Sequence, residues 1–435
     1  MKLLSRYVTF RSSRGESLAE GWRGRVVFKA AADTTGKAVT LLITVVAARR
    51  LNADPFGILA YAMATGWLLG VATDAGLSMH LARETARDRR HNRQLLLEVI
   101  SLRTGLAFLA ATLAALSTPY LVPGHWRMQF VVIVLAQLAG AVTDTVAHYF
   151  RGLQRSEIES TIHSAYRLVT LVWAMVVLFG WRRLDYLGVA MLVPALGAMV
   201  VSMIVAARLS SSEEVATSQP QLTPRRFLRD VLPLGAGVLI SALYFRCDVY
   251  FIQEWHGFQA VGGYNAAFRL VEALRLLPAA VMAVTFPILV QATDTAMVRR
   301  IGTGLTIAGS ALAIACALGA SFIIPAIYGE SYAYTSPAFS ILALALPLFF
   351  LNYALTHQVI GWDGQRAYLL IATLALVANV IANVALVPNQ GIVGAAIATV
   401  LTEVVVTAGC LYALIQHGGS ARRFLTRVPN GGSAL

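Results

Sequence analysis

Apolar residues run through this 435-residue chain in long blocks, separated by short charged or Gly/Pro-containing stretches. A helix rises about 1.5 Å per residue, so about 20 apolar residues cross the roughly 30 Å hydrocarbon core of a bilayer. Blocks of that length fall at residues 26–48, 56–77, 97–121, 128–150, 161–181, 186–207, 229–252, 262–291, 301–327, 336–359, 367–388 and 391–416. The pattern predicts an all-α polytopic membrane protein of about twelve transmembrane helices. The longest polar break in the middle, 208–228, reads as a linker between two six-helix bundles, 26–207 and 229–416. Residues 1–25 lack the apolar core of a signal peptide and read as a basic cytoplasmic tail, with a second tail over 417–435.

Composition agrees. Hydrophobic residues make up 57% of the chain and charged residues 13%, against about 25% charged in a soluble protein. The mean hydropathy is +0.66. A soluble fold and a disordered chain are both excluded. The net charge of +13 would suggest nucleic acid in a soluble protein, but here the basic residues gather in loops on one side of the predicted spans. With the N-terminus inside, the cytoplasmic loops hold clusters such as Arg83, Arg87, Arg89, Arg90 and Arg93, while the opposite side holds Arg49, Arg50, Arg127, Arg182 and Arg183. The positive-inside rule therefore puts both termini in the cytoplasm. Cys247, Cys316 and Cys410 all lie in apolar stretches, which argues against a disulfide framework.

The halves read as copies. Phe56-Gly57 aligns with Val261-Gly262, Leu187-Gly188-Val189-Ala190 with Val393-Gly394-Ala395-Ala396, and His148 through Gly152 with His357 through Gly361. The offsets are 205, 206 and 209 residues. Three matches at nearly one spacing argue for duplication. An even number of spans per half gives the repeats one topology, related by a pseudo-twofold axis along the membrane normal, as in secondary transporters with a site between the halves.

Catalytic and nucleotide motifs fail. Gly36-Lys37 is followed by Ala38 where a phosphate loop needs Ser or Thr, and Ala31 stands where its first Gly belongs. No HExxH, GxSxG, EF-hand loop or metal-spaced Cys pair is present. The chain is expected to be no enzyme, to need no cofactor, and to transport on an ion gradient or on its substrate's own gradient.

Seven basic residues fall inside spans: Lys29, Lys37, Arg103, Arg167, Arg246, Arg269 and Arg275. Facing all of them to lipid would cost on the order of 20 kcal/mol, so they are expected to be sheltered. Lys29, Asp33 and Lys37 stand at i, i+4 and i+8 of span 1, on a stripe about 80° wide. Arg269, Glu272 and Arg275 repeat the theme in span 8, and Arg246 of span 7 is expected to join them. Internal salt bridging is one reading. The other is a cationic lining for an anionic substrate, favoured by the surplus of positive charge in both triads. Arg103 and Arg167 are read as able to snorkel toward headgroups, and Asp74 and Asp144 as able to pair with neighbouring Arg. Asp248 of span 7, Asn379 and Asn383 of span 11, and Thr399 of span 12 (with Glu403 one turn on) carry the oxygens a hard cation uses. Interhelical hydrogen bonding is the alternative for them. Pro194, Pro233, Pro278, Pro287 and Pro347 are candidate kinks.

The run LLITVVAARRLNADPFGILAYA, with Asp74-Ala75-Gly76-Leu77 downstream, resembles the amino-terminal signature of Wzx-type O-antigen flippases of the multidrug/oligosaccharidyl-lipid/polysaccharide (MOP) exporter superfamily. DVYFIQEWHGFQAVGGYNAAFRLVEALRLLPAAVMAVTFPILV resembles their seventh and eighth helices. The stretch from Tyr328-Gly329-Glu330-Ser331-Tyr332 to NVIANVALVPNQGIVGAAIATVLTE resembles their last three. The resemblance implies two six-helix bundles around a cationic cavity in the bacterial inner membrane. It also implies a polyprenyl-diphosphate-linked oligosaccharide as substrate and membrane lipid as surroundings, with a polysaccharide polymerase and a chain-length regulator as candidate partners and no nucleic acid. It further implies that basic residues of helices 1 and 8 line the cavity. The related lipid II flippases hold sodium between helices 7, 11 and 12, where Asp248, Asn379, Asn383 and Thr399 stand here; Asn383 replaces an acid. Na⁺ or H⁺ coupling follows as an expectation. The alternatives are a cation-coupled multidrug exporter of the same superfamily and a non-transporting scaffold of a polysaccharide assembly complex.

Overall fold

The computed structural model describes residues 18–87, 92–210, 231–282, 295–361 and 364–425. Both predicted tails lie largely outside these residues, as do Pro287, most of the 208–228 linker and the side chains of Lys29 and Asp33. The first lobe contains α1 (Leu18–Arg50), α2 (Ala53–Asp74), α3 (Leu77–Arg87), α4 (Asn92–Leu121), α5 (Arg127–Gly152), α6 (Ser156–Gly180) and α7 (Leu184–Leu209). The second contains α8 (Leu232–Arg246), α9 (Asp248–Leu274), α10 (Thr295–Tyr328), α11 (Ser336–Leu344), α12 (Leu346–Gly361) and α13 (Gln365–Leu425).

Nine segments of the described residues are long and apolar enough to cross a membrane. Two of them, Gly235–Met282 and Gln365–Gln416, have 48 and 52 residues, and as straight helices would reach over about 70 Å. Each doubles back at a glycine: Gly257 at φ 75°, ψ −176°, and Gly391 at φ 55°, ψ −132°. Positive φ is what glycine tolerates and other residues do not. Each segment is thus two spans. The helix α1 completes twelve spans in two six-helix bundles.

The prolines act unequally. Pro278 has no N–H to give the carbonyl of Leu274, and α9 ends there, with Arg275 at the break before helix resumes over 276–282. Pro347 sits just past a second break, at Ala345, which splits span 10 into α11 and α12. Pro194 is tolerated inside α7. Pro233 lies in the first turn of α8, where a missing N–H costs nothing, so the expected kink there does not occur.

The turns at residues 51–52, 257, 329 and 391 share one end of the bundle, here called distal. The other, terminal end carries the described chain's beginning and end. At the distal end α2 packs against α9 of the other lobe. The repeat-related glycines Gly57 and Gly262 meet there: a Cβ on Gly57 would lie 1.9 Å from the carbonyl oxygen of Phe258, and one on Gly262 3.0 Å from the ring of Phe56. The alignment that marked duplication thus marks the contact between the lobes. A second equivalence is local. His148 and His357 each donate from Nδ1 to the carbonyl four residues earlier, at 2.8 and 2.6 Å.

At the terminal end the lobes meet again, because Gly76 (φ 89°) brings Ala75 and its own backbone against Gly235 and Val231. Asp74 fixes this turn by accepting from the backbone N–H of Gly76 at 3.2 Å, the N–H of Ser78 at 3.3 Å and the Ser78 hydroxyl. That is the physical content of Asp74-Ala75-Gly76-Leu77, and Asp74 makes no ion pair among the described residues. Between the two ends an aromatic seam joins the lobes. Tyr61 contacts Tyr250 and Phe258 with ring centroids 5.3 and 5.5 Å apart, and the Tyr250 hydroxyl donates to Thr65 Oγ1 at 3.1 Å.

Arg49 adds a latch at the distal end. Its Nε donates to the carbonyl of Ile327 at 2.6 Å and its Nη2 to that of Ala326. These are last-turn carbonyls of α10, where a cation is favoured by unpaired C=O groups and the helix dipole. Arg49→Ala is expected to raise amide hydrogen exchange over residues 325–329 by about tenfold, the loss of a charge-assisted bond; unchanged exchange there would mean the latch carries no closing energy.

Candidate functional site

The cationic group of the second lobe is built by α8 and α9. Arg246, the last residue of α8, is 5% exposed and donates to Glu272 Oε2 at 3.1 Å. Arg269, one turn before Glu272, donates to the same oxygen at 2.8 Å. Arg246 also lies over the rings of Phe268 and Phe245, at 4.5 and 5.4 Å from their centroids. Arg275 stands apart from this pairing. Its guanidinium is held between Phe245 at 4.6 Å and Phe349 at 4.4 Å, with no ion pair among the described residues. The cation and one of its rings stand next to the breaks: Arg275 occupies the Pro278 break itself, and Phe349 follows the Ala345 break by one turn.

Two guanidinium groups therefore share one carboxylate, with Arg275 near it but not paired. Arg246 and Arg269 are engaged by Glu272, although the Nε of Arg269 is buried without a partner. The Arg275 guanidinium lies over two aromatic rings, and its N–H donors, the kind that fork to a phosphate or carboxylate, are engaged in no ion pair among the described residues.

In the first lobe Lys37 is exposed on α1. One residue before it, Gly36 is buried, and a Cβ there would fall 1.4 Å from Nη1 of Arg167. The failed phosphate-loop glycine thus serves to let the Arg167 side chain cross α1. Arg167 is half-buried, with no hydrogen-bond or ion-pair partner among the described residues. Arg103 does not snorkel. It is 2% exposed and donates to Thr145 Oγ1 at 3.1 Å, to Gly70 O at 2.8 Å and to Thr73 Oγ1, tying α4 to α2 and α5. Asp144 pairs with His163 at 3.5 Å rather than with an Arg, and Glu159 accepts both arms of Arg151 at 2.9 and 2.5 Å.

Asp248, Asn379, Asn383 and Thr399 do come together, in a buried polar network. The Tyr264 hydroxyl donates to Asp248 and lies 3.1 Å from Thr399 Oγ1. Asn379 donates to Thr402 at 2.9 Å and accepts at its Oδ1 from Cys247 and Asn383, both at 2.9 Å. Asn352 donates to Glu403 Oε2 at 2.7 Å and accepts from Thr407 at 2.7 Å. Asn383 Oδ1 is buried without a partner. Among the described residues no group of three or more His, Cys, Asp or Glu side chains could hold a metal, so any cation here would be held by amide and hydroxyl oxygens with one carboxylate. A small cavity of about 10 Å³, room for about one water molecule, lies against this network and is lined by Tyr244, Phe245, Asn379, Thr399, Thr402 and Glu403. Phe245 belongs both to this lining and to the arginine group.

Residues 26–293 match the family model described as "Polysaccharide biosynthesis protein". The chain belongs to this family. It is 24% identical over 327 residues to the EPS I polysaccharide export inner membrane protein EpsE of Ralstonia solanacearum, covering 71% of this chain and 72% of that one. It is 34% identical over 155 residues to a protein named "Probable flippase AglR" from Haloferax volcanii. That match spans about a third of each protein, 33% of this chain and 32% of the relative. Among solved structures it is similar to the lipid II flippase MurJ in an inward closed conformation, with a TM-score of 0.68 at 12% identity, over 89% of this chain and 87% of that one. A multidrug resistance MATE family transporter of the MOP superfamily, in an inward-facing conformation, gives 0.64 at 15% identity, over 91% and 99%. The family member described here therefore has the MOP-superfamily fold, twelve spans in two bundles.

Sequence reasoning missed four features: the aromatic clamp on Arg275, the Tyr264 bridge, the Arg49 latch and the Asn352–Glu403 bond. Only Arg49 carried a signal, as one of few basic residues on its side.

Proposed function

We propose that this chain is a flippase that carries a polyprenyl-diphosphate-linked oligosaccharide repeat unit across the bacterial inner membrane for surface polysaccharide synthesis. The observation that carries the reading is Arg275: a cation within the spans that lies over the rings of Phe245 and Phe349 without an ion pair among the described residues, leaving forked donors for an anion. In this reading the diphosphate binds Arg275 and Arg269 from the second lobe and Lys37, Lys29 and Arg167 from the first. Arg246, Glu272 and Asp33 hold those cations in place. The sugars travel in water between the lobes while the polyprenyl tail stays in lipid. No covalent bond of the substrate breaks, so positioning, charge and alternating access suffice.

The terminal end faces the cytoplasm, supported by Arg83, Arg87, Arg151, Arg155, Arg208 and Arg366 against the few arginines of the distal end. The units are a cytoplasmic tail 1–25, lobes 26–207 and 229–416 joined by the 208–228 linker, and a tail 417–435. Contacts at Gly57/Gly262 and at Gly76/Gly235 close the distal and terminal sides, and transport alternates their opening. Asp248, Asn379, Asn383 and Thr399 supply the oxygens for a coupling Na⁺ or H⁺; the unpartnered Asn383 Oδ1 supports this.

The test is the sidedness of lipid-linked oligosaccharide in a strain lacking the gene. Accumulation on the cytoplasmic face, relieved by the wild-type chain, is expected. A deletion that accumulates nothing and exports glycan normally would leave the reading without support.

A further inference from the structure

Resting on the lipid-linked oligosaccharide reading, we propose that Trp67 is a saccharide-stacking platform beside the diphosphate site. It would bind the C–H face of the sugar that follows the diphosphate.

The position argues for it. Helix α2 is closed against the other lobe at Gly57 and again at Gly76. Trp67 lies ten residues from the first contact and nine from the second, about 14–15 Å from each, midway between the two closures. The remaining faces of α2 are taken. Gly66 and Gly70 rest on Gln137 and Ala141 of α5, and Tyr61 and Thr65 meet Tyr250 of the second lobe. Phe56, Ile58, Leu59, Tyr61 and Leu68 are all buried, yet the Trp67 indole is 40% exposed.

Its neighbour supplies the chemistry. Trp67 meets Phe245 across the lobe boundary, with ring centroids 6.2 Å apart at 62°. That same Phe245 ring carries Arg275 at 4.6 Å. An open indole therefore stands one ring away from a free guanidinium. Anion recognition needs no exposed indole. A sugar does use one: its axial C–H groups form an apolar face that packs on an aromatic ring, while the indole N–H remains for a hydroxyl. Diphosphate on Arg275 and sugar on Trp67 follow the covalent order of the substrate, so the pair reads both parts at once.

The test uses the full-length protein in lipid nanodiscs and two probes. One is undecaprenyl diphosphate without sugar; the other is undecaprenyl-diphosphate-linked oligosaccharide extracted from the gene-deletion strain. Wild type is expected to bind the glycosylated probe about tenfold more tightly. Trp67→Ala is expected to lose that tenfold while binding the bare diphosphate as before, and Trp67→Phe, which keeps a ring in the seam and controls for folding, to lose two- to threefold on the glycosylated probe alone. Equal weakening toward both probes in both variants would make Trp67 a packing residue of the lobe seam and overturn the proposal. Unchanged affinity for both would make it a lipid-facing side chain, with the same result. Wild type that binds neither probe would instead refute the flippase reading on which the proposal stands.

Discussion

Arg275→Ala is expected to weaken binding of undecaprenyl diphosphate by ten- to a hundredfold and to abolish rescue of the deletion strain at normal protein levels. A charge-assisted bond to a buried or half-buried partner contributes roughly 1.5–3 kcal/mol, and a forked pair sits at the upper end of that range. The folded protein should tolerate the change. Arg275 forms no direct ion pair among the described residues, so beyond two ring contacts its removal costs only its longer-range attraction to Glu403 and Glu272. Arg275→Lys retains the charge and part of the ring attraction but not the fork, and intermediate binding is expected. Titration of the purified variants separates these outcomes. An Arg275→Ala protein that melts far below wild type would show that the clamp is structural.

Glu272→Ala should fail in the opposite way. Glu272 is the shared partner of Arg246 and Arg269, and its loss leaves two guanidinium groups together within the spans. Breaking a fully buried pair on one side costs about 3–5 kcal/mol. Arg246 is buried but Glu272 is a third exposed, so the cost falls toward the lower end, still a large share of the roughly 5–15 kcal/mol that stabilises a typical domain. Little folded protein is expected in the membrane, whatever the substrate. Removing the opposing charge as well, in Glu272→Ala with Arg246→Met, should recover much of the lost protein, because an apolar replacement of a buried pair is often neutral. Expression and thermal melting of the single and double variants check this. If Glu272→Ala accumulates and melts like wild type, the three residues are not coupled as their 2.8 and 3.1 Å contacts imply.

How far the sequence could be read depended on distance along the chain. The span count followed from the length and spacing of the apolar blocks, since each helix satisfies its backbone locally. The Gly57–Gly262 match was visible as a repeat because duplication writes the same contact twice. The grouping of Arg269 and Glu272 was visible because i and i+3 share a helix face. Arg103 was misjudged because its partners, Gly70, Thr73 and Thr145, sit on two other helices, and no spacing in the chain encodes that meeting. Phe349 stands 74 positions after Arg275, with only the breaks at Pro278 and Pro347 to bring them together, so the clamp was invisible. The polar residues of spans 7, 11 and 12 were each noticed, but Tyr264 of span 8, whose hydroxyl lies between Asp248 and Thr399, was not.

The most direct measurement reconstitutes the purified chain in liposomes that hold undecaprenyl-diphosphate-linked oligosaccharide in one leaflet. It then follows the appearance of sugar in the other, with wild type and Arg275→Ala in parallel. The account predicts protein-dependent translocation by wild type and near-background movement by the variant. Translocation at equal rates by both would contradict the cationic site, and no translocation by a folded wild-type protein, with every gradient supplied, would contradict the flippase itself.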